Sequence, residues 1–285
     1  MLERAYVEIG NICNLSCSFC PGTKRAPRQM AEEEFREVCQ KLCGKVKFLY
    51  LHLMGEPLLH PSLDAFLGIM REYDFKACIT TNGLLLKERA DILLSHSDTV
   101  HKVAISMHAP EGNGMSAEIE QYVSEVLQFV SEAAEKGIYS VLRLWNLDSA
   151  EALGKNSINR RIEELLRDFF TEPWQKRPRG FRMAKNIFLE YDGVFVWPEE
   201  STAESIENGY CHALTQQIGI LADGTVVPCC LDSEGAISLG NIFESSLFEI
   251  LSSDRAQNML SGFSSGRLCE PICQKCTYAR RFKSK

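Results

Sequence analysis

The chain has 285 residues, 45% hydrophobic and 24% charged, a balance that suits a globular protein with one sizeable core and room for a smaller module. Its 31 Lys and Arg against 38 Asp and Glu leave a formal charge of −7, which argues against nucleic acid as the main partner, because proteins that grip a polynucleotide present a basic surface. No apolar run approaches the ~18–20 residues of a membrane span, and Met1-Leu2-Glu3-Arg4 carries no signal-peptide core, so a cytoplasmic protein with no membrane partner is expected.

Residues 4–10 read as a first strand, and the triplet Cys13, Cys17 and Cys20 follows it in Cys13-Asn14-Leu15-Ser16-Cys17-Ser18-Phe19-Cys20-Pro21. At the spacing C-x3-C-x2-C, a loop leaving a strand can curl three thiolates toward one point. Three thiolates hold three irons of a 4Fe–4S cube; such cubes normally take four, so one iron is left for another ligand. A zinc site would need a fourth ligand close to the triplet, and a disulfide would leave one cysteine over.

A helix is expected over 31–43, with Glu32-Glu33-Glu34 in its first turn, where negative charge suits the helix dipole. Cys39 and Cys43, four residues apart on it, read as small buried hydrophobes. The apolar run 47–53 has strand length and ends at Met54-Gly55-Glu56-Pro57. Helix 61–73 carries Leu63, Phe66, Leu67 and Met70 on one face. A strand at Cys78-Ile79-Thr80 ends at Thr81-Asn82-Gly83, with Cys78 in the core. Then come a helix at 86–94, the strand Val103-Ala104-Ile105-Ser106, and a long helix at 116–136 stopped by Gly137. A strand at 140–145 and a polar helix at 157–170 follow. Strand then helix, repeated, implies an α/β fold with a parallel sheet and helices outside. The polar groups gather at the C-terminal strand ends, where α/β barrels place their sites. A sixth strand is expected near Ile187-Phe188-Leu189-Glu190, whereas 173–182 shows no clear pattern. The basic cluster Lys176-Arg177-Pro178-Arg179 and the tail Arg280-Arg281-Phe282-Lys283 read as solvated loops.

Twelve cysteines in a chain expected to be cytosolic favour metal binding over disulfides. Beyond residue 200 the composition changes. Cys211 is followed by Gln217-Ile218-Gly219-Ile220-Leu221, then Ala222-Asp223-Gly224, then Val226-Val227-Pro228-Cys229-Cys230. Asp-Gly between two β-rich runs signals a hairpin, which would return Cys229 toward Cys211. A helix at about 245–253 precedes Cys269-x3-Cys273-x2-Cys276.

The triplet, with Phe19 before its last cysteine, resembles the radical S-adenosylmethionine (SAM) superfamily. The resemblance implies a partial (β/α)6 TIM-like barrel over 1–198, with a 4Fe–4S cluster on Cys13, Cys17 and Cys20. SAM would chelate the open iron through its amino and carboxylate groups. An electron from the cluster would cleave it to methionine and a 5′-deoxyadenosyl radical, which abstracts hydrogen from a substrate. Met54-Gly55-Glu56-Pro57 looks like the family's Gly-Gly-Glu-type motif, with Met54 for the first Gly, so Gly55 and Glu56 would meet the methionine amino group. Ser106 and Arg143 stand where relatives contact the ribose and the carboxylate, and Phe19 would lie by the adenine. Asn82 either hydrogen-bonds SAM or shapes its turn. An Arg inside an apolar strand needs a partner: the SAM carboxylate, or a barrel Glu such as Glu8.

The second cysteine set, with Gly240-Asn241-Ile242, resembles the auxiliary-cluster domains called SPASM in long form and twitch in short form. A full SPASM domain has seven cysteines; with six here, a twitch over 199–285 with one second 4Fe–4S cluster is expected. Its ligands would be Cys211, Cys229, Cys273 and Cys276, with Cys230 and Cys269 in reserve and zinc as the alternative. Four protein ligands would make it an electron relay or a staple, three a substrate anchor. An external flavodoxin- or ferredoxin-type donor is implied. No catalytic residue is singled out. Glu8, His52, Trp145 (on the same side as Arg143) and Glu190 are the substrate candidates, with His108, Tyr191, Asp192 and Trp197 near strand ends. Acidic groups around an aromatic suggest a cationic or hydrogen-bonding small molecule. Dehydrogenation, lysis or rearrangement of a metabolite is expected, with amino-sugar dehydrogenases and a queuine-type base lyase sharing the architecture. A peptide or protein maturase is the alternative, disfavoured because the first strand begins by residue 4 and leaves no N-terminal peptide-binding domain. RNA methylation is disfavoured by charge.

Overall fold

A computed structural model of the chain describes residues 2–147, 157–194, 196–198, 201 and 204–281. Phe282, Lys283 and the junction expected at 198/199 fall wholly or partly outside them. Five parallel strands come first: β1 (Arg4–Val7), β2 (Phe48–Tyr50), β3 (Lys76–Thr81), β4 (Val100–Ser106) and β5 (Tyr139–Leu147). Helices α1 (Glu32–Leu42), α2 (Leu63–Glu72), α3 (Leu86–Ser95) and α4 (Ile119–Glu135) connect them. After α5 (Ser157–Phe169) come β6 (Gln175–Arg177), β7 (Gly180–Ala184) and β8 (Ile187–Gly193), the last parallel to β5. The sheet runs from one free edge to the other without closing, so the six parallel strands β1–β5 and β8 form a partial barrel.

Alternation along the strands assigns the two faces. Leu49, Ala77, Ile79, Val103, Ile105, Leu142 and Leu144 are buried in one core under the helices, where Phe35 of α1 stacks on Phe66 of α2 with centroids 4.2 Å apart. The opposite, concave face carries the register rows Tyr6–Tyr50–Cys78–Lys102 and Ser106–Arg143–Glu190. The barrel interior is therefore polar.

The stretch 173–182 is a hairpin, β6–β7, that extends the sheet beyond β8. Lys176 and Arg177 lie in its outer strand, not in a loop. All three β6 residues are exposed, so no apolar alternation marks them in the sequence. Gly180 is required there: a Cβ would stand 2.0 Å from the Leu189 carbonyl oxygen.

The C-terminal module shares the same sheet. β9 (Gln217–Ile220) pairs in parallel with β1, and β10 (Thr225–Val227) folds back on β9 through Asp223-Gly224, with Gly224 at φ 85°. Next to β10 lies β11 (Gly240–Asn241). The helix expected at 245–253 is α6 (Leu247–Leu251), and a further helix not expected from the sequence, α7 (Asp254–Ser264), follows it at once. Ser253 separates the two: its side chain accepts from the Ala256 N–H and starts a new helix. α8 (Pro271–Lys275) carries Cys273. Cys39 is fully buried, but Cys43 is exposed, because the chain leaves α1 before Cys43 reaches the inner face. Among the described residues no helix is long and apolar enough to cross a membrane.

Candidate active site

The cysteine triplet sits on the loop after β1. Cys13 and Cys20 are exposed and Cys17 is half-buried. The Leu15 amide donates to Cys13 Sγ at 3.4 Å and Asn113 Nδ2 donates to Cys17 Sγ at 3.1 Å. Asn113 Oδ1 accepts from the Ser16 amide at 2.9 Å, and the Ser18 amide donates to the Gly112 carbonyl at 3.0 Å. A short turn after β4 thus clamps the loop and aims the Asn113 amide at one sulfur, while the loop's own Leu15 amide meets a second, which suits thiolates ligating a cluster. Phe19 packs on Gly112, where a Cβ would stand 2.5 Å from the ring, and its centroid lies 4.8 Å from that of His108. Sequence reasoning missed Asn113, which is 96 residues from Cys17 and carries no local signal.

Gly55 presses against this loop. At φ 77°, a Cβ there would lie 2.4 Å from the Gly10 carbonyl oxygen and 2.9 Å from that of Ile12. The Glu56 amide donates to the Ile12 carbonyl at 2.9 Å. The Glu56 carboxylate accepts from the amides of Leu58 at 3.0 Å and Asn82 at 2.7 Å, and burial raises its pKa. Asn82 both shapes its turn, accepting from the Leu84 amide at 3.0 Å, and donates to Asn14 Oδ1 at 2.8 Å. The ends of β1, β2 and β3 are thereby locked together around the triplet.

Glu8 is a correction. It offers no free carboxylate: Arg25 binds it bidentately at 2.8 and 2.7 Å, and the amides of Met54 and Ala222 take the remaining acceptor positions, each at 3.2 Å. Its partner is Arg25, not Arg143. Arg25 Nε also donates to the Ser233 carbonyl at 2.9 Å, and Arg28 Nε to that of Ala222 at 2.8 Å. This ion pair fastens the loop after the triplet to both barrel and C-terminal module. Arg25→Met should cost about 3–5 kcal/mol, because it strands a buried carboxylate; urea unfolding of wild type and variant measures it.

Arg143 and Trp145 share the inner face, as expected, with the guanidinium 4.3 Å from the indole centroid. Arg143 Nη1 donates to Thr80 Oγ1 at 3.4 Å, while its buried Nε has no partner. Among the described residues, no carboxylate lies within ion-pair distance of Arg143 or Lys102. Burial lowers the Arg143 pKa, with Glu190 opposing. His52 Nδ1 is also buried without a partner, and burial, then Arg143 and Lys102, push that imidazole down to about 3. Tyr6 lies 4.8 Å from Tyr50 and 5.6 Å from His52 between centroids, and the Lys102 ammonium is 5.2 Å from the Tyr50 ring. His108 sits beside this wall, its Nδ1 3.1 Å from the Arg143 carbonyl. Ser106 ends β4 in the same row as Arg143 and Glu190. Two rim candidates are not in the site. Tyr191 faces Phe181 of the hairpin, and Asp192 pairs with Arg281 at 3.0 Å and Arg179 at 3.7 Å. Trp197 is half-buried.

In the C-terminal module, Cys229 lies near enough to Cys230, Cys211 and Cys273, and Cys276 near enough to Cys211 and Cys273, for each charge to act on the next. The Ala213 amide donates to Cys211 Sγ at 3.4 Å. Of the two reserves, Cys230 meets the Tyr6 hydroxyl beside Leu53, Leu221 and Val227, where burial raises its pKa to about 11, and it also lies near enough to Cys229 and Cys211 for their charges to interact. Cys269 lies against α7, 3.5 Å from the Asn258 carbonyl and over Gly262. Among the described residues no three Cys, His, Asp or Glu side chains converge as the ligands of a single ion do; a four-iron cube takes its thiolates at outer corners, in a wider ring.

Comparison with known proteins finds two family matches: the radical SAM superfamily over residues 7–148 and the SPASM iron-sulfur cluster-binding domain over 211–277. The chain is 30% identical over 113 residues to the S-adenosyl-L-methionine-dependent 2-deoxy-scyllo-inosamine dehydrogenase of Niallia circulans, covering 36% of this chain and 44% of that protein. The match thus spans less than half of that relative. It is 24% identical over 282 residues to the GTP 3′,8-cyclase of Nautilia profundicola (strain ATCC BAA-1463 / DSM 18972 / AmH), covering 84% of this chain and 86% of the relative. Among solved structures, BtrN in complex with AdoMet and 2-DOIA shares the fold at a TM-score of 0.60 and 19% identity, over 97% of this chain and 93% of that one.

Proposed function

Because the chain belongs to the radical SAM superfamily and carries a SPASM-type iron–sulfur cluster-binding module, we propose that it cleaves SAM reductively and abstracts hydrogen from a polar small molecule held inside the barrel. When bound and reduced, the cluster supplies the electron that splits SAM into methionine and a 5′-deoxyadenosyl radical. Cys13, Cys17 and Cys20 hold it and leave one corner to SAM. The backbone around Gly55 and Glu56 receives the methionine ammonium, Arg143 the carboxylate, Ser106 the ribose, and Phe19 lies by the adenine. Asn82 and the Glu56 carboxylate act through the loop they fasten. Cys211, Cys229, Cys273 and Cys276 hold a second cube, and four protein ligands suit it to passing electrons. An external flavodoxin- or ferredoxin-type protein reduces the enzyme.

The observation that carries this reading is the inner wall. Closed α/β barrels fill their interior with branched apolar side chains. Here Tyr6, Tyr50, His52, Lys102, Arg143 and Glu190 occupy it, as a ligand chamber requires. His52, Trp145 and Glu190 are the substrate contacts, and the names of the curated relatives fit dehydrogenation or another rearrangement of a metabolite; lysis of a queuine-type base is a third form. The test adds a low-mass metabolite fraction, or a peptide fraction, to the reduced enzyme with SAM. Stimulation of 5′-deoxyadenosine formation by the metabolites is expected. Stimulation by peptides alone would replace this reading with a maturase.

A further inference from the structure

The two cations of the inner wall have different neighbours. Arg143 stands in the upper row with Ser106 and Glu190, whereas Lys102 stands deeper, in the row of Tyr6, Tyr50 and Cys78. The titratable and charged groups facing Lys102 come from every strand around it: Arg4 and Tyr6 of β1, Tyr50 and His52 after it, Cys78 of β3, Arg143 of β5 and Glu190 of β8. Arg4 is held by Glu3 at 2.9 Å. Glu8, the other carboxylate at this end of β1, is neutralised by Arg25. Among the described residues, two inner cations without an ion pair therefore face the carboxylate of Glu190.

Lys102 has a partial partner only in the Tyr50 ring, 5.2 Å from its ammonium. Lys102 is half-buried, and a cation–π contact compensates little of the cost of drawing its ammonium partly out of water. The same space holds two further unmet polar atoms, His52 Nδ1 and Arg143 Nε. His52 is neutral here, so its ring adds hydrogen-bonding capacity without charge. With Arg143 assigned to SAM, an ammonium without a counter-ion beside a neutral imidazole, whose Nδ1 donates in one tautomer, is complementary to an anion that accepts from both. Of the two forms expected from acidic groups around an aromatic, a cationic or a hydrogen-bonding small molecule, the cationic one loses support, because Glu8 is held by Arg25.

We propose that the substrate carries a carboxylate or phosphate group and that Lys102 receives that anion, with Arg143 occupied by SAM. The inference rests on the barrel interior being the substrate chamber. Lys102 is a binding residue and abstracts no hydrogen.

The test uses the reconstituted holoenzyme with SAM saturating, so that Arg143 is engaged. Inorganic phosphate, ribose 5-phosphate and succinate are titrated separately, and the midpoint of thermal unfolding reports binding. At least one anion should raise the midpoint saturably, and the phosphate and carboxylate arms distinguish the two sources. Lys102→Met should weaken that binding about tenfold or more, while Lys102→Arg, which keeps the charge, should retain most of it. In the absence of anion, Lys102→Met should raise the unfolding midpoint, because an unpartnered ammonium is removed; a structural lysine would lower it. Binding of none of the three anions, or binding unaffected by Lys102→Met, would overturn the proposal. Wild-type SAM cleavage is measured alongside. Its presence without anion binding removes only the anion assignment, whereas its absence removes the radical reading beneath it.

Discussion

Cys17→Ala should reduce 5′-deoxyadenosine formation to the level of the enzyme-free control. Iron after anaerobic reconstitution should fall from roughly eight per chain to roughly four. Cys17 is the middle ligand of the triplet and accepts from Asn113 Nδ2 at 3.1 Å, so the loop keeps its outer anchors when it is replaced. Ser16 still donates to Asn113 and Ser18 to Gly112, and the Glu8–Arg25 pair is untouched. The fold should therefore survive, as a cooperative thermal transition would confirm. The iron that remains belongs to the second set, and Cys273→Ala should produce the reverse pattern, losing the C-terminal irons and keeping the triplet's. Iron falling to zero in Cys17→Ala would show that the two sets do not load separately. Undiminished 5′-deoxyadenosine would remove the triplet from the chemistry.

Arg143→Gln should separate binding from folding. In the ligand-free protein Arg143 is half-buried, with its Nε buried and unpartnered and one long hydrogen bond from Nη1 to Thr80. Removing that charge should leave stability unchanged or slightly higher, because an uncompensated, partly buried cation costs free energy. With SAM bound, the same guanidinium has a carboxylate to pair with. Losing a buried, hydrogen-bonded charge pair costs about 2–5 kcal/mol, roughly 30- to 4,000-fold in affinity. The SAM-induced rise in the unfolding midpoint should accordingly shrink or vanish. A variant that unfolds more easily without ligand yet binds SAM as tightly as wild type would make Arg143 a structural residue.

The features legible in the sequence are those with a local period or spacing. The cysteine triplet, the Asp223-Gly224 turn and the alternation of strands with amphipathic helices all announce themselves within a few residues. Trp145 and Arg143 share a face because strand periodicity requires it. What could not be read depends on partners distant in the chain. Glu8 looks like a free acid until Arg25 folds across it, 17 residues on, with a fourth contact from Ala222, 214 residues away. Asn113 looks like an ordinary turn residue until it meets Cys17. The β6–β7 hairpin is hidden for a different reason: its outer strand is solvated on both faces, so no hydrophobic pattern records it. Lys102 falls between the cases. Its strand is evident, but only the register with Tyr50 and Cys78 reveals that it points into the barrel without a counter-ion.

The central claim is that the triplet leaves one iron for SAM. Magnetic resonance of the reduced enzyme, with SAM isotopically labelled at its amino nitrogen and carboxylate oxygens, reads that iron directly. Hyperfine coupling of both labels to the cluster is predicted, and it should vanish in Cys17→Ala. An intact cluster that shows no coupling to either label, its last corner held by a protein side chain, would contradict the account.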